Sequence, residues 1–537
     1  MSKKAKVTLH PDYKVGEVDK RLYGCFLEPI GHWVYGGIWK PDHPTADDMG
    51  FRKDILEAVR EFDMPAVRFP GGNWISGWQW KNSIGPVEER KTQLDLAWRQ
   101  YEPNTIGHNE YIEWVKRAGS DPIYTINVDS EDLTSAFHLV EYSKHPGGTY
   151  WSDLRKEHGY PEPHPITTWC LGNETDGPWQ ISSWEKDPVG YGIRAHEISK
   201  IIKWIDHKAE TIVCGSCSPF QKTYPEWDVQ VLEQCYESVD YVSLHHYHTA
   251  LNGDIPGFLN VTVFEEFIDT VIAACDYTQT KLGSPKKMMI SFDEYGCSFG
   301  EQKELEFGRR GRIDKEMANF EFFPENVASP FKFIDYKNVG TIGRRPPMSQ
   351  MLSALALASV MMTFLRRADR VKIGVMTGGV RNALAFDGQN VWKNASYYPY
   401  YQMNKLGRGV SLLPVVDGPT YSTKAYNLDT RIQYHAYEGV QAIDVAAVHN
   451  EESGDVNIFI VNRDIEEDIE ITLDVRGFEG YKLAEHIEMY TDDLNAVNTF
   501  ENPDVIKPAV NPSTKLDSGK VTANTKKLSW NVIRLVK

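Results

Sequence analysis

Eight short apolar runs, separated by helix-like segments, are the feature that most limits the folds open to this chain. Strands that alternate with helices pair in parallel, because each helix returns the chain to the same end of the sheet. Eight such units predict a (β/α)8 barrel with long loops, and the count alone leaves a doubly wound open sheet as the alternative. The runs are Tyr23–Pro29, Ala66–Gly72, Pro122–Val128, Thr167–Glu174, Thr211–Ser216, Tyr241–Tyr247, Met288–Glu294 and Arg370–Met376.

Two of the intervening segments have clear helical features. Apolar residues recur at helical spacing between Asp48 and Asp63, which predicts an amphipathic helix there. The run Met351–Leu365 is shorter than the roughly 20 apolar residues that cross a bilayer, so it is interpreted as a buried barrel helix.

The pattern changes after about residue 390, where apolar and polar residues alternate without helices between them. Val456, Ile458 and Ile460 show this alternation, which is typical of an antiparallel β-sandwich and predicts a jelly-roll-like domain. The predicted domains are 20–388, the catalytic barrel, and 389–537, the sandwich. A strand from residues 1–19, near Lys6–His10, is predicted to complete the sandwich.

The net charge and the cysteine content indicate which binding partners and which cellular compartment suit this protein. The chain has 58 Lys and Arg against 75 Asp and Glu, a net charge of −17, which argues against nucleic acid as a partner. Met1–Pro11 lacks the apolar region of a secretion signal, and seven cysteines, an odd number, suit a reducing cytoplasm. A cytoplasmic location without membrane attachment is therefore predicted.

Polar residues stand where the predicted strands end. In a barrel the carboxyl ends of all strands meet at one face, and this face carries the active site. An acid that follows a run such as Met288–Phe292 is costly to bury unless it is paired or used. The strand-end residues are Glu28, Arg68, Asn73, Asn173, Glu174, His245, His246, Tyr247, Asp293 and Glu294.

Glu174 and Glu294 end the fourth and seventh strands, which lie on opposed sides of a barrel. Glycoside hydrolysis needs two carboxyl groups that face each other, about 5–5.5 Å apart in retaining enzymes and about 6.5–9.5 Å apart in inverting ones. The two glutamates are therefore predicted to be the catalytic pair of a glycosidase, and the sequence does not set their separation.

The motifs around these glutamates resemble those of clan A glycosidases, and the longer matches resemble glycoside hydrolase family 51, the α-L-arabinofuranosidases. The matching segments span nearly the whole chain. They are VYGGIWKPDHPTADDMGFR (34–52), RFPGGN (68–73), IGPVEER (84–90), LDLAW (94–98), TWCLGNETDGPWQ (168–180), SFDE (291–294), ADRVKI (368–373) and SWNVIRL (529–535).

The resemblance implies a retaining exo-α-L-arabinofuranosidase with Glu294 as nucleophile and Glu174 as general acid/base. It further implies a homo-oligomer, and hemicellulose or pectin fragments such as arabinoxylan or arabinan as substrates. Its other predicted substrate-site residues are Glu28, Asn73 and Asn173 as hydroxyl partners, His245 and Tyr247 beside the carboxylates, Arg68 to keep Glu294 ionised, and Trp98 as a stacking or core ring. The mechanism, with Glu174 protonated and Glu294 ionised, predicts a mildly acidic pH optimum.

No cofactor and no metal are predicted. His245, His246 and His248 could suggest a metal site, but consecutive side chains of a strand point to opposite faces. Cys214 and Cys217 form a lone CxxC, and zinc sites of this kind need a second pair of ligands.

Departures from the family pattern surround the predicted sugar site. Tyr295 replaces a family Trp and is followed by Gly296, a loop starting at Val128 replaces a Gly-Thr-Arg-Gly loop, and Gly378 stands in place of a sugar-binding Gln. The alternatives are therefore another furanosidase, a β-xylosidase, an endoglucanase or a catalytically silent sugar-binding protein. The charged segment Glu301–Arg345 is interpreted either as a lid or as a solvated insertion.

Overall fold

The computed structural model describes residues 3–98, 100–251, 254–300, 334–335, 349–427 and 433–537, and it contains a closed barrel of eight parallel strands. The predicted barrel is thereby confirmed, and the open-sheet alternative is wrong. Successive strands are neighbours around the barrel, and the eighth pairs with the first to close it. The barrel strands are β1 Gly24–Phe26, β2 Ala66–Phe69, β3 Asp121–Ile126, β4 Thr168–Leu171, β5 Glu210–Cys214, β6 Tyr241–Leu251, β7 Met289–Gly300 and β8 Val371–Thr377.

Helices surround the barrel. The predicted helix between Asp48 and Asp63 begins only at Lys53, because Phe51 pairs with Trp39 in an isolated bridge. The predicted barrel helix near Met351 is confirmed, and its side chains are buried along nearly its whole length. The helices are α1 Lys53–Phe62, α2 His108–Ala118, α3 Leu133–Lys144, α4 Tyr150–Glu157, α5 Pro188–Ile205, α6 Glu226–Cys235, α7 Ile255–Leu259, α8 Thr262–Leu282, α9 Gln350–Arg366 and α10 Tyr397–Leu406.

Two apolar layers hold the barrel together. Side chains that include Phe26, Ile123 and Ile212 fill its interior, and a larger cluster packs the strands against the helices. The amino-terminal ends of the strands are joined by Arg21, which forms ion pairs with Asp19 and Glu210. Arg21 thus links strand starts at that end, and the polar strand ends lie at the opposite one.

The C-terminal part of the chain forms two mainly antiparallel sheets, as predicted. One parallel pair departs from that prediction: Lys3–Thr8 lies beside Ile469–Asp474, which is possible because the two strands are far apart in sequence. In spatial order the first sheet contains Val415–Asp417, Lys3–Thr8, Ile469–Asp474, Lys520–Thr525 and Lys515–Asp517. The second contains Lys14–Glu17, Val410–Leu412, Ile443–Asn450, Asp455–Asn462, Ser529–Val536, Lys482–Met489 and Ala509–Val510.

Helix α10 packs on the barrel although it follows the predicted domain boundary. The Tyr400 hydroxyl donates to the backbone oxygen of Gly24 at 2.6 Å, and the Asn404 amide donates to that of Phe62 at 2.8 Å. The boundary between residues 388 and 389 stays a prediction. The remaining short strands are Gln93–Asp95, Gln100–Glu102, Ile334–Asp335, Leu384–Phe386, Val391–Lys393, Thr420–Tyr421, Tyr426–Asn427, Gln433–Tyr434 and Val440–Gln441.

Among the helices in the described ranges, none combines the length and the apolar character that crossing a bilayer requires.

Candidate active site

The turn that follows β4 presents Asn173 and Glu174 at the carboxyl end of the barrel. Gly172 precedes them with a φ of +97°, and a Cβ there would lie 2.6 Å from Val128, so the position requires glycine. Glu174 itself adopts a left-handed conformation with a φ of +46°, which is uncommon outside glycine and clusters at functional sites. The sharp turn directs two successive polar side chains into the barrel mouth.

Strand β7 contains a bulge between Phe292 and Tyr295, where its register shifts against both neighbouring strands. In a regular strand Asp293 and Glu294 would point to opposite faces. The extra residue removes this alternation, so that both carboxylates face Arg68 inside the barrel. The bulge therefore places two consecutive acids in one site.

Glu174 and Glu294 meet across the barrel mouth. A carboxylate oxygen of each and a ring nitrogen of His245 all lie within 4.8 Å of one another. Both glutamates are buried, with 5% and 4% of their surface exposed. Trp179 Nε1 donates to Glu174 Oε2 at 2.8 Å, and the Tyr247 hydroxyl donates to Glu294 Oε2 at 2.6 Å. The paired carboxyls are thus held in defined orientations in a water-poor site.

Arg68 contacts three of the site residues with one guanidinium. Its Nη1 donates to Glu294 Oε1 and its Nη2 to Asn173 Oδ1, both at 2.8 Å, and its Nε lies 3.1 Å from Asp293 Oδ2. Burial by itself would lower the pKa of Arg68, but the charges of Asp293 and Glu294 outweigh it and raise that pKa. Arg68 is therefore a permanent cation beside Glu294.

His245 faces the same carboxylates from β6. Its Nδ1 lies 3.1 Å from Glu174 Oε1 and 3.7 Å from Glu294 Oε2, and its Nε2 lies 3.5 Å from Asp293 Oδ1. Burial would lower the pKa of His245, but Glu294, Asp293 and Glu174 raise it to about 10. The imidazole is therefore protonated at neutral pH.

His246 and His248 do not share the site of His245. The ring of His246 packs edge-on against Phe264, and the ring of His248 stacks on Phe258. The alternation expected along this strand accounts for the separation between His245 and His246.

Glu28 lies at the barrel mouth, near enough to Glu294 to feel its charge. Its Oε1 accepts hydrogen bonds from Trp98 Nε1 at 2.7 Å and from the backbone N–H of Trp74 at 3.1 Å. Gly72 makes this approach possible, because a Cβ there would lie 2.3 Å from the Glu28 carboxyl. Burial, together with the charge of Glu294, raises the pKa of Glu28. The indole of Trp98 thus positions a carboxyl group.

Gln180, which was not among the predicted site residues, joins Asn73 and Asn173. Gln180 Nε2 donates to Asn73 Oδ1 at 2.7 Å and to the backbone oxygen of Asn173 at 2.8 Å. Gln180 and Trp179 both lie within the segment TWCLGNETDGPWQ. Their place in that family-matching segment could have identified them as site residues. All nine predicted site residues lie around the barrel mouth.

The altered positions have different surroundings. Tyr295 is fully buried, with its ring edge-on to Phe364, so it belongs to the core between β7 and α9 rather than to the sugar site. Gly296 lies beside Tyr247, whose ring carbons a Cβ would reach at 3.5 Å. Gly378 has a φ of +69° and follows Thr377, whose hydroxyl lies 2.9 Å from that of Tyr247. Only the last two changes therefore adjoin Tyr247.

The loop after β3 reaches the site through a chain of hydrogen bonds. Ser76 Oγ lies 2.6 Å from Asp129 Oδ2 and 3.0 Å from Gln180 Oε1. Trp184 Nε1 donates to the other carboxyl oxygen of Asp129 at 3.1 Å. Burial raises the pKa of Asp129 to about 7. The segment Glu301–Arg345 lies outside the described residues, apart from the backbone of Ile334–Asp335.

Two family models match the chain: the α-L-arabinofuranosidase 1 domain over residues 58–254 and the α-L-arabinofuranosidase C-terminal domain over residues 341–529. An intracellular exo-α-(1→5)-L-arabinofuranosidase of Halalkalibacterium halodurans is 38% identical, and the alignment covers 100% of both chains. The chain belongs to the family 51 α-L-arabinofuranosidases. A Bacillus subtilis enzyme named intracellular exo-α-(1→5)-L-arabinofuranosidase 1 is also 38% identical, over 100% of this chain and 99% of its own.

Solved structures of family 51 α-L-arabinofuranosidases have the same fold. One from Bifidobacterium longum has a TM-score of 0.84 and 28% identity, with 99% of this chain and 100% of that chain covered. One from Thermotoga petrophila has a TM-score of 0.81 and 25% identity, with the same coverage. The chain is therefore an enzyme of the exo-α-L-arabinofuranosidase class.

Proposed function

We propose that this family 51 α-L-arabinofuranosidase releases terminal non-reducing α-L-arabinofuranosyl residues by double displacement, with retention at the anomeric carbon. The observation that carries the mechanism is the approach of Glu174 and Glu294, whose nearest oxygens lie within 4.8 Å. Retaining enzymes hold their carboxyls about 5–5.5 Å apart, whereas inverting ones leave room for a water between them.

In the first step Glu294 attacks the anomeric carbon while the Glu174 carboxyl protonates the departing oxygen. In the second step Glu174, now a carboxylate, takes a proton from water, and that water displaces Glu294 from the sugar. The contacts of Glu294 support its role, because Arg68 and Tyr247 both donate to the ionised form.

The remaining contacts suit sugar recognition. Glu28, Asn73 and Asn173 bring a carboxyl and two amides to the mouth beside the catalytic pair, and we assign them to the sugar hydroxyls. A hydroxyl-binding site of this type rejects analogues that lack the hydroxyl, since buried polar groups would then be left unpaired.

The names of the relatives guide the choice of substrate. Two of them are named for exo action on α-(1→5)-linked arabinofuranose, so we propose arabinan or oligosaccharides derived from it as substrates. Arabinoxylan fragments, which the family resemblance implies, also belong to the proposal. Because both relatives are also named intracellular, we propose the cytoplasm as the place of action. A homo-oligomeric state, which family membership suggests, is part of the same proposal.

The stereochemical course tests the mechanism. Proton NMR of the first product formed from a nitrophenyl α-L-arabinofuranoside should show the α-anomer before mutarotation. Initial formation of the β-anomer would overturn double displacement. Glu294→Gln should lower kcat by roughly 10⁴-fold or more. Glu174→Gln should lower kcat by about 10²–10⁴-fold on substrates whose leaving group needs protonation.

A panel of nitrophenyl glycosides tests the substrate. Turnover of the α-L-arabinofuranoside should exceed that of the β-xyloside and of the other furanosides. Preference for the xyloside, or cleavage within a β-glucan chain, would support the β-xylosidase or endoglucanase alternatives. A catalytically silent binder would turn over no member of the panel, while Glu294→Gln would bind arabinose as the unsubstituted chain does.

A further inference from the structure

We propose that Asp293 is a positioning residue: it fixes Arg68 and His245, and its negative charge sets the pH range in which Glu174 keeps its proton. The inference rests on the proposed roles of Glu174 and Glu294 and concerns a residue that those roles do not use. Asp293 neighbours Glu294 in sequence, and the β7 bulge turns both side chains inward.

Both carboxylate oxygens of Asp293 are engaged. Oδ2 lies 3.1 Å from Arg68 Nε and accepts from the Cys170 thiol at 3.6 Å. Oδ1 accepts from the Ser243 hydroxyl and lies 3.5 Å from His245 Nε2. The side chain is fully buried, so it is positioned by these groups rather than by solvent. Asp293 therefore contacts both Arg68 and His245, and it lies by a different nitrogen of His245 from Glu174.

The carboxyl groups around His245 favour a positive charge on its ring. Nδ1 lies 3.1 Å from Glu174 Oε1, and Nε2 lies 3.5 Å from Asp293 Oδ1. A neutral imidazole donates from only one nitrogen and accepts at the other, whereas an imidazolium donates from both. Since the partner on each side is a carboxyl oxygen, Asp293 favours the doubly protonated ring that also faces the catalytic pair.

Arg68, Glu174, His245, Asp293 and Glu294 form a buried charge cluster, and its charges balance in one protonation state. With Asp293 and Glu294 ionised and Arg68 and His245 positive, the cluster is neutral when Glu174 is protonated. Loss of that proton leaves a net negative charge in a buried site, which is unfavourable. Without Asp293, the balanced state has Glu174 ionised instead.

Most other groups that face this cluster favour their neutral forms. Burial raises the pKa of Glu28 and raises that of the Cys170 thiol to about 12, so both favour their neutral forms. Asp176, two residues after Glu174, is different: burial and, to a smaller extent, the charge of Glu174 raise its pKa to about 7, and it is the same in the unsubstituted enzyme and in the variants below. In chain order, the cluster and the groups that face it are Glu28 after β1, Arg68 in β2, Cys170 in β4, Glu174 and Asp176 after β4, Ser243, His245 and Tyr247 in β6, Asp293 and Glu294 in β7 and Thr377 in β8.

The decisive measurement is the pH dependence of kcat/KM for Asp293→Asn, which keeps the shape of the side chain and removes its charge. The alkaline limb of the profile should move to lower pH by about one unit, the usual effect of one nearby buried charge. The value of kcat should fall by about tenfold to a hundredfold, as the two cations lose a charged partner. A merely structural role would lower kcat without moving the limb.

The matched control is Asp228→Asn. Asp228 is an equally buried carboxyl group that accepts from the Ser216 hydroxyl at 2.6 Å and from its backbone N–H at 2.9 Å, with neither Arg68 nor His245 among those partners. Its pH profile should match that of the unsubstituted enzyme. An unmoved limb in Asp293→Asn, or an equal shift in both variants, would overturn the inference.

Ser243→Ala provides a second test that does not depend on the folding of Asp293→Asn. Removing the Ser243 hydroxyl leaves the charge of Asp293 less neutralised, so the alkaline limb should move the opposite way, to higher pH. A shift to lower pH would contradict the inference. Near-normal turnover by Glu294→Gln would instead contradict the proposed function, so the two failures are distinguishable.

Discussion

The hydroxyl of Tyr247 lies 2.6 Å from Glu294 Oε2 and 2.9 Å from Thr377 Oγ1. A carboxylate can only accept, and a phenol has a single proton, so Tyr247 donates to Glu294 and accepts from Thr377. The phenol thus fixes the carboxylate oxygen nearest to it, and Thr377, beside the altered Gly378, orients the phenol. Gly378, a position at which this chain departs from the family pattern, is thus next to a residue that orients Tyr247 against the proposed nucleophile, Glu294.

Removing the Tyr247 hydroxyl should lower kcat with little effect on folding. Hydrogen bonds to charged groups contribute about 1.5–3 kcal/mol, which corresponds to a loss of about tenfold to a hundredfold in Tyr247→Phe. Steady-state kinetics on a nitrophenyl α-L-arabinofuranoside would measure it.

Tyr437→Phe is the matched control, since that phenol also donates to a glutamate, Glu266, at 2.7 Å. It should leave kcat and KM unchanged. If Tyr247→Phe kept full activity, the hydrogen bond to Glu294 would have no part in the reaction.

Gln180 should affect substrate binding rather than the chemical step. Gln180→Met keeps the length of the side chain and removes its bonds to Asn73 and Asn173, each worth about 1 kcal/mol. We expect KM to rise by about tenfold with a smaller change in kcat. Gln402→Met, which removes only the partner of Trp530, is the control and should leave KM unaltered. An unchanged KM in Gln180→Met would show that the two asparagines keep their orientation without it.

Arg21 should matter for stability and not for catalysis. It joins the amino-terminal ends of the barrel strands through Asp19, Glu210 and Tyr241, at the face opposite the active site. Arg21→Met leaves the partly exposed carboxylates of Asp19 and Glu210 without their cation, and we expect a loss of about 1–2 kcal/mol in the free energy of unfolding. Urea denaturation would measure this loss. A large change in the kcat of the folded variant would contradict the separation of the two faces.

His108 should make the protein sensitive to acid. Burial, with a smaller contribution from the charge of Arg155, lowers the pKa of His108 to about 3. The unfolded chain therefore binds a proton near its ordinary pKa of about 6.5, while the folded chain does not. The contribution to stability is complete above that pH and is lost as the pH falls toward 3, by at most about 5 kcal/mol.

Thermal unfolding between pH 7 and 4 checks this prediction. The melting temperature of His108→Gln should depend less steeply on pH than that of the unsubstituted protein. Exposed His207 meets water in both states, so His207→Gln should keep the original slope. Equal slopes for all three proteins would show that other groups control acid unfolding.

Much of the fold and part of the site could be predicted from the sequence. The eight apolar runs became the eight barrel strands, because a run bounded by polar residues has few other ways to bury its side chains. The meeting of Glu174 and Glu294 followed from the closure of those strands. The start of α1 was placed too early, since Phe51 is buried through a bridge to Trp39 that local spacing does not reveal.

The contacts across the barrel could not be predicted. The β7 bulge, which turns Asp293 and Glu294 to the same side, depends on the register of two neighbouring strands. Gln180 reaches Asn73 across 107 positions of sequence, and Tyr295 faces the core because of that same bulge. Such contacts depend on which residues the folded chain brings together.

The sequence by itself determined the barrel, the strand ends that carry chemistry and the identity of the two facing glutamates, because periodicity and strand closure are local rules repeated eight times. The tertiary structure alone decided which groups surround those glutamates. Arg68 lies between Asp293, Glu294 and Asn173, and His245 lies between three carboxylates. Charges act through space, so the protonation of such a site is set by distances of a few ångströms between residues far apart along the chain.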